Sequence, residues 1–232
     1  MQLSIVIPCY NEENRIATSL DKISRYLSDR GISGEIIAVN DGSTDGTLGI
    51  LQGRNDVKAI SMSENRGKGA AVREGLLAAT GDQVLFTDAD LSTPIEEADK
   101  LLPMLDQYDI AIGSRQAPGT KIEKHQPPLR LLLGIAFGFT VRILFRIKYL
   151  DTQCGFKAMT GSAAKMVAER MRINGFTFDV EMLAIADHLN LKVAEVGVTW
   201  GDVRGSKLHP HREFQKIIKE LSEIKRNIKA LK

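Results

Sequence analysis

Gln83-Val84-Leu85-Phe86-Thr87-Asp88-Ala89-Asp90-Leu91-Ser92 is the stretch from which the rest of the chain can be read. Gln83–Phe86 is an apolar run entered through Gly81-Asp82, and it reads as a buried strand. Asp88 and Asp90 follow one residue apart where that strand should end. Alternation along an extended chain puts both carboxylates on one side. Two like charges that close repel unless a proton or a divalent cation lies between them. Hard oxygen ligands of this kind suit Mg²⁺ or Mn²⁺, with phosphate oxygens completing the shell. A D-x-D taken alone is more often a pair of solvated acids at a loop entry, so the surrounding chain has to decide.

Upstream, strand and helix signals alternate. Leu3–Pro8 is a nearly all-apolar, β-branched run, as expected of a strand buried on both faces of a parallel sheet. Asn11-Glu12-Glu13 then open a helix expected to run to about Asp29, with Asn11 as its N-cap and Ile16, Leu20, Ile23 and Leu27 at helical spacing. Glu35–Asn40 is a second strand, and the turn-rich Asp41–Thr47 leads to another helix. Val57–Met62 is a third strand, and Gly67-Lys68-Gly69 enters a helix through about Ala79. Four such alternations before Asp90 predict a doubly wound α/β fold with a mostly parallel sheet. Ligands of such sheets bind beyond the carboxyl ends of the strands. Each strand delivers polar residues there: Tyr10 and Glu12, then Asp41, then Asn65 and Lys68, then Asp88 and Asp90.

Two motifs are decoys. Gly67-Lys68-Gly69 lacks the spacing of a P-loop, and Pro8-Cys9-Tyr10-Asn11-Glu12 replaces the glycine fingerprint of dinucleotide sites.

Downstream, Pro94 to about Asp106 reads as a helix and Asp109–Gly113 as a fifth strand with Ser114-Arg115 at its end. Ala117 to Pro128 reads as a loop. Leu129–Ile147 is an apolar helical pattern whose charges, Arg130, Arg142 and Arg146, are all basic. Asp151–Lys157 is a polar turn feeding a short strand; Ser162–Arg170 and Asp179–His188 are helices; Lys192–Trp200 is a strand; Glu213–Leu231 is a basic amphipathic helix.

The chain of 232 residues suits one large domain, and its net charge of +2 hides an uneven distribution, with nine Lys/Arg against three Glu from Arg204 to Lys232. Cys9 and Cys154 read as reduced thiols of a cytosolic chain. The N-terminus lacks the basic region of a signal peptide. The longest uncharged apolar run, 131–141, is eleven residues, against the ~20 needed to span a bilayer as a helix. His209 and His211 lack a cysteine or third histidine nearby, so zinc is not expected, and the basic segments lack the interleaved aromatics of a nucleic-acid surface.

Together these motifs form a pattern. Ile5-Val6-Ile7-Pro8-x-Tyr10-Asn11-Glu12, Val39-Asn40-Asp41-Gly42-Ser43-Thr44-Asp45-Gly46-Thr47, Asn65-Arg66-Gly67-Lys68-Gly69 and Asp88-Ala89-Asp90 resemble the donor half of the family 2 glycosyltransferases, which have the GT-A fold. Gly113-Ser114-Arg115, Arg130, Asp151-Thr152-Gln153-Cys154-Gly155-Phe156-Lys157 and Gly205-Ser206-Lys207-Leu208 are similar to the dolichyl-phosphate β-glucosyltransferase branch, whose relatives include dolichol-phosphate mannose synthase. The resemblance implies a donor half over 1–115, an acceptor half of the same domain over 116–208 with the amphipathic helix 129–147, and a basic C-terminal helix over 209–232. It implies that Pro8, Tyr10, Glu12, Val39, Asp41, Lys68, Asp88, Ala89 and Lys207 hold a nucleotide-sugar donor, most simply UDP-glucose. It also implies that Asp88 and Asp90 bind Mg²⁺ or Mn²⁺, and that the acceptor is a polyprenyl or dolichyl phosphate. The eukaryotic members carry an N-terminal membrane anchor. None is evident in this sequence, so attachment is expected to be peripheral, at the cytosolic face of a membrane.

Several residues keep two readings. Glu12 is a donor ligand or a first-turn acid favoured by the helix dipole. Asp45 reads better as a helix cap than as a ligand. Lys68 neutralises diphosphate or caps locally. Arg115, expected in catalysis with Asp90 and Asp151, places a guanidinium on the leaving diphosphate or forms a surface ion pair. Asp151 is the natural base for a hydroxyl acceptor. A phosphate acceptor, whose second pKa is about 6, needs no base, and Asp151 would then orient its neighbours. Arg130 and Lys157 are the candidate anchors for such a phosphate. The apolar helix is an in-plane membrane helix or a dimer contact.

Overall fold

The computed structural model describes residues 2–124, 128–202 and 210–231, with the side chains of the helices that begin at 128 and 210 described from 134 and 216 onward. Five strands of the central sheet were legible as apolar runs: β1 (Leu3–Cys9), β2 (Gly34–Asn40), β3 (Val57–Ser61), β4 (Gln83–Thr87) and β5 (Ile110–Ser114). A short β6 (Lys121–Lys124) precedes β7 (Phe156–Thr160), β8 (Val193–Gly197) and β9 (Thr199–Gly201). The seven-stranded sheet has the order β3-β2-β1-β4-β7-β5-β8, and β6 pairs with β9 apart from it. All pairings in the large sheet are parallel except those of β7, which runs antiparallel to both β4 and β5. The expected mostly parallel α/β sheet is therefore present.

Alternation sorts the strands between two apolar layers. Val6, Ile37, Val39, Val84 and Phe86 pack on one face with α3 (Lys68–Ala78), α6 (Gly161–Arg170) and α7 (Phe178–His188). Ile5, Ile7, Ile36, Ala38 and Leu85 pack on the other, against α1 (Ile16–Asp29), α2 (Thr47–Gln52) and the segment around α4 (Ala98–Leu101). Ile16, Leu20, Ile23 and Leu27 of α1 are buried, as their spacing predicts.

Four local expectations are corrected. Asn11 does not cap α1; it sits at φ 55° and binds the Ser43-Thr44 loop, accepting from the Thr44 amide at 2.8 Å. That cross-loop bond outcompetes the local cap, and α1 begins at Ile16. The helix expected from Pro94 to Asp106 is broken into short turns either side of α4, and Pro103, which has no N–H, stops the ladder after Leu101. The expected loop 117–128 contains β6. The run Lys192–Trp200 divides, with β8 joining the large sheet and β9 pairing with β6.

The apolar helix is α5 (Pro128–Phe145). Phe137, Val141 and Phe145, four residues apart, turn to the core, while Ile135, Phe139 and Ile143, equally spaced, are 49%, 58% and 64% exposed. Among the described residues no helix is long and apolar enough to cross a membrane. The basic C-terminal helix is α8 (Pro210–Ala230), which buries Leu221 and Ile224.

Candidate active site

The parallel strands β1, β2 and β4 release Tyr10, Asp41 and Asp88 at one edge of the sheet. The antiparallel β7 starts at that same edge, because Phe156 is the register partner of Thr87. The polar turn 151–155 that feeds β7 is thereby delivered against the D-x-D loop. A Cβ built on Gly155 would lie 2.1 Å from Asp88 Oδ2, so only glycine allows the carboxylate to rest there.

Asp88 Oδ1 is 2.6 Å from Lys68 Nζ, at the first residue of α3. Burial opposes the charge on Lys68, but Asp88, Asp179 and Asp90 outweigh it and raise its pKa. The Lys68 ammonium also lies 5.6 Å and 5.7 Å from the ring centroids of Phe86 and Phe178. Asp90 Oδ1 accepts the Ser92 amide at 2.9 Å, an Asx turn that leaves its other oxygen to the edge. Leu91, at φ 47°, turns the loop back, and the Gly201 amide of β9 donates to the Ser92 carbonyl at 2.9 Å. Glu12 pairs with Arg15 at 2.5 Å. Its carboxyl is raised chiefly by burial; Arg15 opposes this, and Asp90, Asp45 and Asp88 add to it. The edge thus concentrates acids against few cations.

Asp41 is 3% exposed, and its two oxygens accept the amides of Arg66 and Gly67 at 2.7 and 2.9 Å. It holds the loop that presents Lys68. The α3 N-terminus is not open to phosphate, since the Gly69 amide donates to the Asn174 carbonyl at 2.8 Å. This agrees with treating Gly67-Lys68-Gly69 as a decoy.

At the end of β5, Arg115 grips Asp151. Its Nε and Nη2 donate to the two carboxylate oxygens at 2.7 and 2.8 Å, and its amide adds a third bond at 2.9 Å. The guanidinium is a quarter exposed and 5.5 Å from the Trp200 ring centroid. Burial would raise the Asp151 carboxyl, but the Arg115 fork and the Arg115 and Gln153 amides reverse this and hold it below the usual carboxylate range. Glu195 accepts the amides of Leu150 and Asp151 and fixes the turn.

Below the edge, Lys157 is fully buried on β7. Its ammonium donates to the Cys154 carbonyl at 2.6 Å and to Asp179 of α7. Burial raises the Asp179 carboxyl, with Lys157 and Lys68 pulling against it.

The comparisons with known proteins agree with this geometry. The profile described as Glycosyl transferase family 2 matches residues 4–167. The chain belongs to that family. Two similar relatives are named dolichyl-phosphate beta-glucosyltransferase. The one from Drosophila melanogaster is 36% identical over 90% of this chain and 70% of its own length. The one from Mus musculus is 36% identical over 95% and 74%. Among solved structures, glucosyl-3-phosphoglycerate synthase from Mycobacterium tuberculosis, in complex with Mn²⁺, UDP and phosphoglyceric acid, superposes with a TM-score of 0.70 at 22% identity, covering 100% of this chain and 79% of that one. That likeness shows a shared GT-A fold.

On this glycosyltransferase the expected site residues separate into two groups. Tyr10, Glu12, Lys68, Asp88, Asp90 and Arg115 converge on the sheet edge. Pro8 and Val39 are buried register partners one step below it, and Val39 packs in the core against α3, so its side chain supports the edge without lining it. Ala89 is likewise buried, its carbonyl taken by Ser19 Oγ at 2.6 Å. Lys157 is corrected from phosphate anchor to buried counter-ion, because its ammonium points inward to Asp179. Asp151, for which a base role and an orienting role were both open, is bonded through both oxygens to Arg115, the geometry of the orienting role. Lys207 and the side chain of Arg130 lie outside the described residues.

Asp179, Trp200, Glu195 and Gly155 were not singled out from sequence as functional. A partial signal for Asp179 did exist: a lysine within the mostly apolar strand Phe156-Lys157-Ala158-Met159-Thr160 calls for a carboxylate partner if that strand is buried. Sequence does not say which acid supplies it.

Among the described residues no three Asp, Glu, His or Cys side chains converge tightly enough to hold a metal unaided. Asp88 and Asp90 do fit a divalent cation whose shell is completed by phosphate oxygens. The donor set is hard oxygen, and Asp88 already attracts a cation in Lys68. Gly155→Ala is expected to push the Asp88 carboxylate aside and lower activity roughly 10- to 100-fold, the usual cost of disturbing a ligand's support. Steady-state kinetics with thermal unfolding will check this; wild-type kinetics in a folded variant would rule out the Gly155 cradle.

Proposed function

We propose that this family 2 glycosyltransferase moves glucose from UDP-glucose onto a polyprenyl or dolichyl phosphate, with inversion to a β-linked product. The observation that carries this reading is the Arg115–Asp151 fork. Asp151, the base candidate for a hydroxyl acceptor, is taken up in orienting a guanidinium, which favours an acceptor that arrives already ionised. The names of the two relatives support the same acceptor and sugar. Tyr10, 45% exposed at the end of β1, is suited to the nucleobase, and Glu12 to ribose hydroxyls or a base N–H. Asp41 acts on the donor through the 65–68 loop that it holds. Asp88 and Asp90 would hold Mg²⁺ or Mn²⁺, which as a Lewis acid would make the nucleoside diphosphate a better leaving group. Arg115 stabilises charge on the departing diphosphate. The acceptor phosphate, ionised at neutral pH, attacks C1 as the bond from C1 to the diphosphate oxygen breaks.

The direct test is incubation with Mn²⁺, radiolabelled UDP-glucose and polyprenyl phosphate. Labelled glycolipid is expected. Its absence, with turnover on a soluble hydroxyl acceptor, would overturn the lipid part. The pH profile is a second check. The Asp151 pKa is lowered on folding, so its contribution to stability is complete above the ordinary carboxylate pKa of about 3.9 and is lost only as pH falls through its lower folded value. The kcat/KM profile is therefore expected to rise through about pH 6 with the acceptor's own second ionisation and then stay flat.

The acceptor's lipid tail gives a role to α5. Its exposed Ile135, Phe139 and Ile143 stripe, flanked by Arg142, Arg146 and Lys148, is suited to lying in an anionic lipid interface. Phe139→Asp with Ile143→Asp is expected to abolish co-sedimentation with vesicles containing phosphatidylserine and leave the fold intact. Undiminished vesicle binding would remove α5 from the membrane contact, and a change of mass in solution would make the stripe a dimer face.

A further inference from the structure

We propose that Trp200 is a positioning residue for sugar transfer: it sets the tilt of the Arg115 guanidinium, and the stretch 198–201 that carries it ties Arg115 to the D-x-D loop. The inference rests on reading Arg115 as the cation that meets the departing diphosphate. The fork to Asp151 engages Nε and Nη2 at 2.7 and 2.8 Å, which leaves Nη1 for phosphate oxygens. Two bonds in the plane of the group still let it hinge about the line through the carboxylate oxygens. A contact against the guanidinium removes that freedom. Trp200 supplies one, since it is buried and its ring centroid lies 5.5 Å from Arg115 Cζ. Of the aromatic rings, indole attracts a cation best.

The backbone on both sides of Trp200 is tied to the same two places. The Val198 amide donates to the carbonyl of Ser114, the residue before Arg115, at 3.2 Å. The Gly201 amide donates at 2.9 Å to the carbonyl of Ser92, two residues beyond Asp90. Trp200 stands between them as the register partner of Ile122 on β6. Four consecutive residues thus touch the end of β5 and the loop that carries Asp90. The two-stranded β6–β9 ladder is too small to add much stability by itself. What its place in the fold achieves is a fixed relation between the guanidinium and the D-x-D carboxylates.

The test is a double-mutant cycle on glucosyl transfer, with Trp200→Leu and Trp200→Phe each made in wild type and in Arg115→Met. In wild type, Trp200→Leu is expected to lower kcat about tenfold, the scale of a desolvated cation–π contact. The donor KM should move by about twofold or less, because Arg115 acts on charge that grows as the diphosphate leaves. Phenylalanine shortens the side chain as leucine does but keeps a ring, so Trp200→Phe should lose only about threefold. In Arg115→Met, Trp200→Leu should cost about twofold or less, since the group it positions is gone. Equal losses in both backgrounds, or equal losses for leucine and phenylalanine, would make Trp200 a packing residue and overturn the inference. Arg115→Met at wild-type kcat would instead remove Arg115 from the reaction, and the inference with it, by a distinguishable result. The wild-type protein gives a readout that needs no variant, because Trp200 is its only tryptophan. Its emission is expected to change on titration with UDP and Mn²⁺ in step with calorimetric binding. Unmoved emission with UDP bound would also overturn the inference.

Discussion

Asp90→Asn is expected to lower kcat roughly a thousandfold, about 4 kcal/mol of barrier, while thermal unfolding stays close to wild type. The asparagine is isosteric, and its amide oxygen can still accept the Ser92 N–H that the Asp90 carboxylate accepts at 2.9 Å, so the loop keeps its turn. What disappears is one of two negative charges at the end of β4. On the proposed reaction the leaving group is a nucleoside diphosphate, and three of the described cations at the edge already face carboxylates: Arg15 with Glu12, Arg115 with Asp151, Lys68 with Asp88. If Asp90 holds the proposed cation, the lost charge weakens the stabilisation of that leaving group. Transfer assayed at saturating donor and acceptor will read the effect. An asparagine variant within tenfold of wild type would show that Asp90 is a loop residue only.

The second large effect is on stability. Lys157→Met is expected to destabilise the fold by roughly 3–5 kcal/mol, because it strands the buried Asp179 carboxylate without its cation. For a chain of this size that is about 6–20 °C in Tm. The double variant Lys157→Met with Asp179→Leu should recover most of the loss, since an apolar pair avoids the desolvation that the ion pair suffers. Differential scanning calorimetry on the three variants measures the coupling. A lysine that anchored the acceptor would behave otherwise, raising the acceptor KM at unchanged Tm, and that outcome would restore the phosphate-anchor role.

Much of the edge formed by β1, β2 and β4 was legible in sequence because it is local. Leu3–Pro8, Glu35–Asn40 and Gln83–Phe86 are short, largely apolar runs set between turn signals, which read as buried strands, and Asp41, Lys68 and Asp88 follow strand ends or open a helix, where a doubly wound sheet puts its ligands. The residues from Arg115 to Lys157 were less legible because their contacts depend on partners far away in the chain. Asp151 looks like a free acid until Arg115, thirty-six positions earlier, is found in its grip. Lys157 looks like a surface anchor until α7 brings Asp179 to it. The loop 117–128 looks unstructured because the strand that β6 pairs with is the detached tip of Lys192–Trp200, and a four-residue strand carries no periodicity of its own.

Sequence alone determined the alternation of strands and helices, the family resemblance and the Asp88–Asp90 pair, since each rests on residues within one short segment. Only tertiary structure decided what that pair sits against. The antiparallel insertion of β7 between β4 and β5 turns its incoming loop toward the edge where the parallel strands end. Gly155 thereby comes to rest beneath Asp88, the Asp151 turn comes to the same edge, and Lys157 goes inward. Reversing one strand exchanges which of its ends meets the site, and pairing direction is a property of the sheet that no single strand encodes.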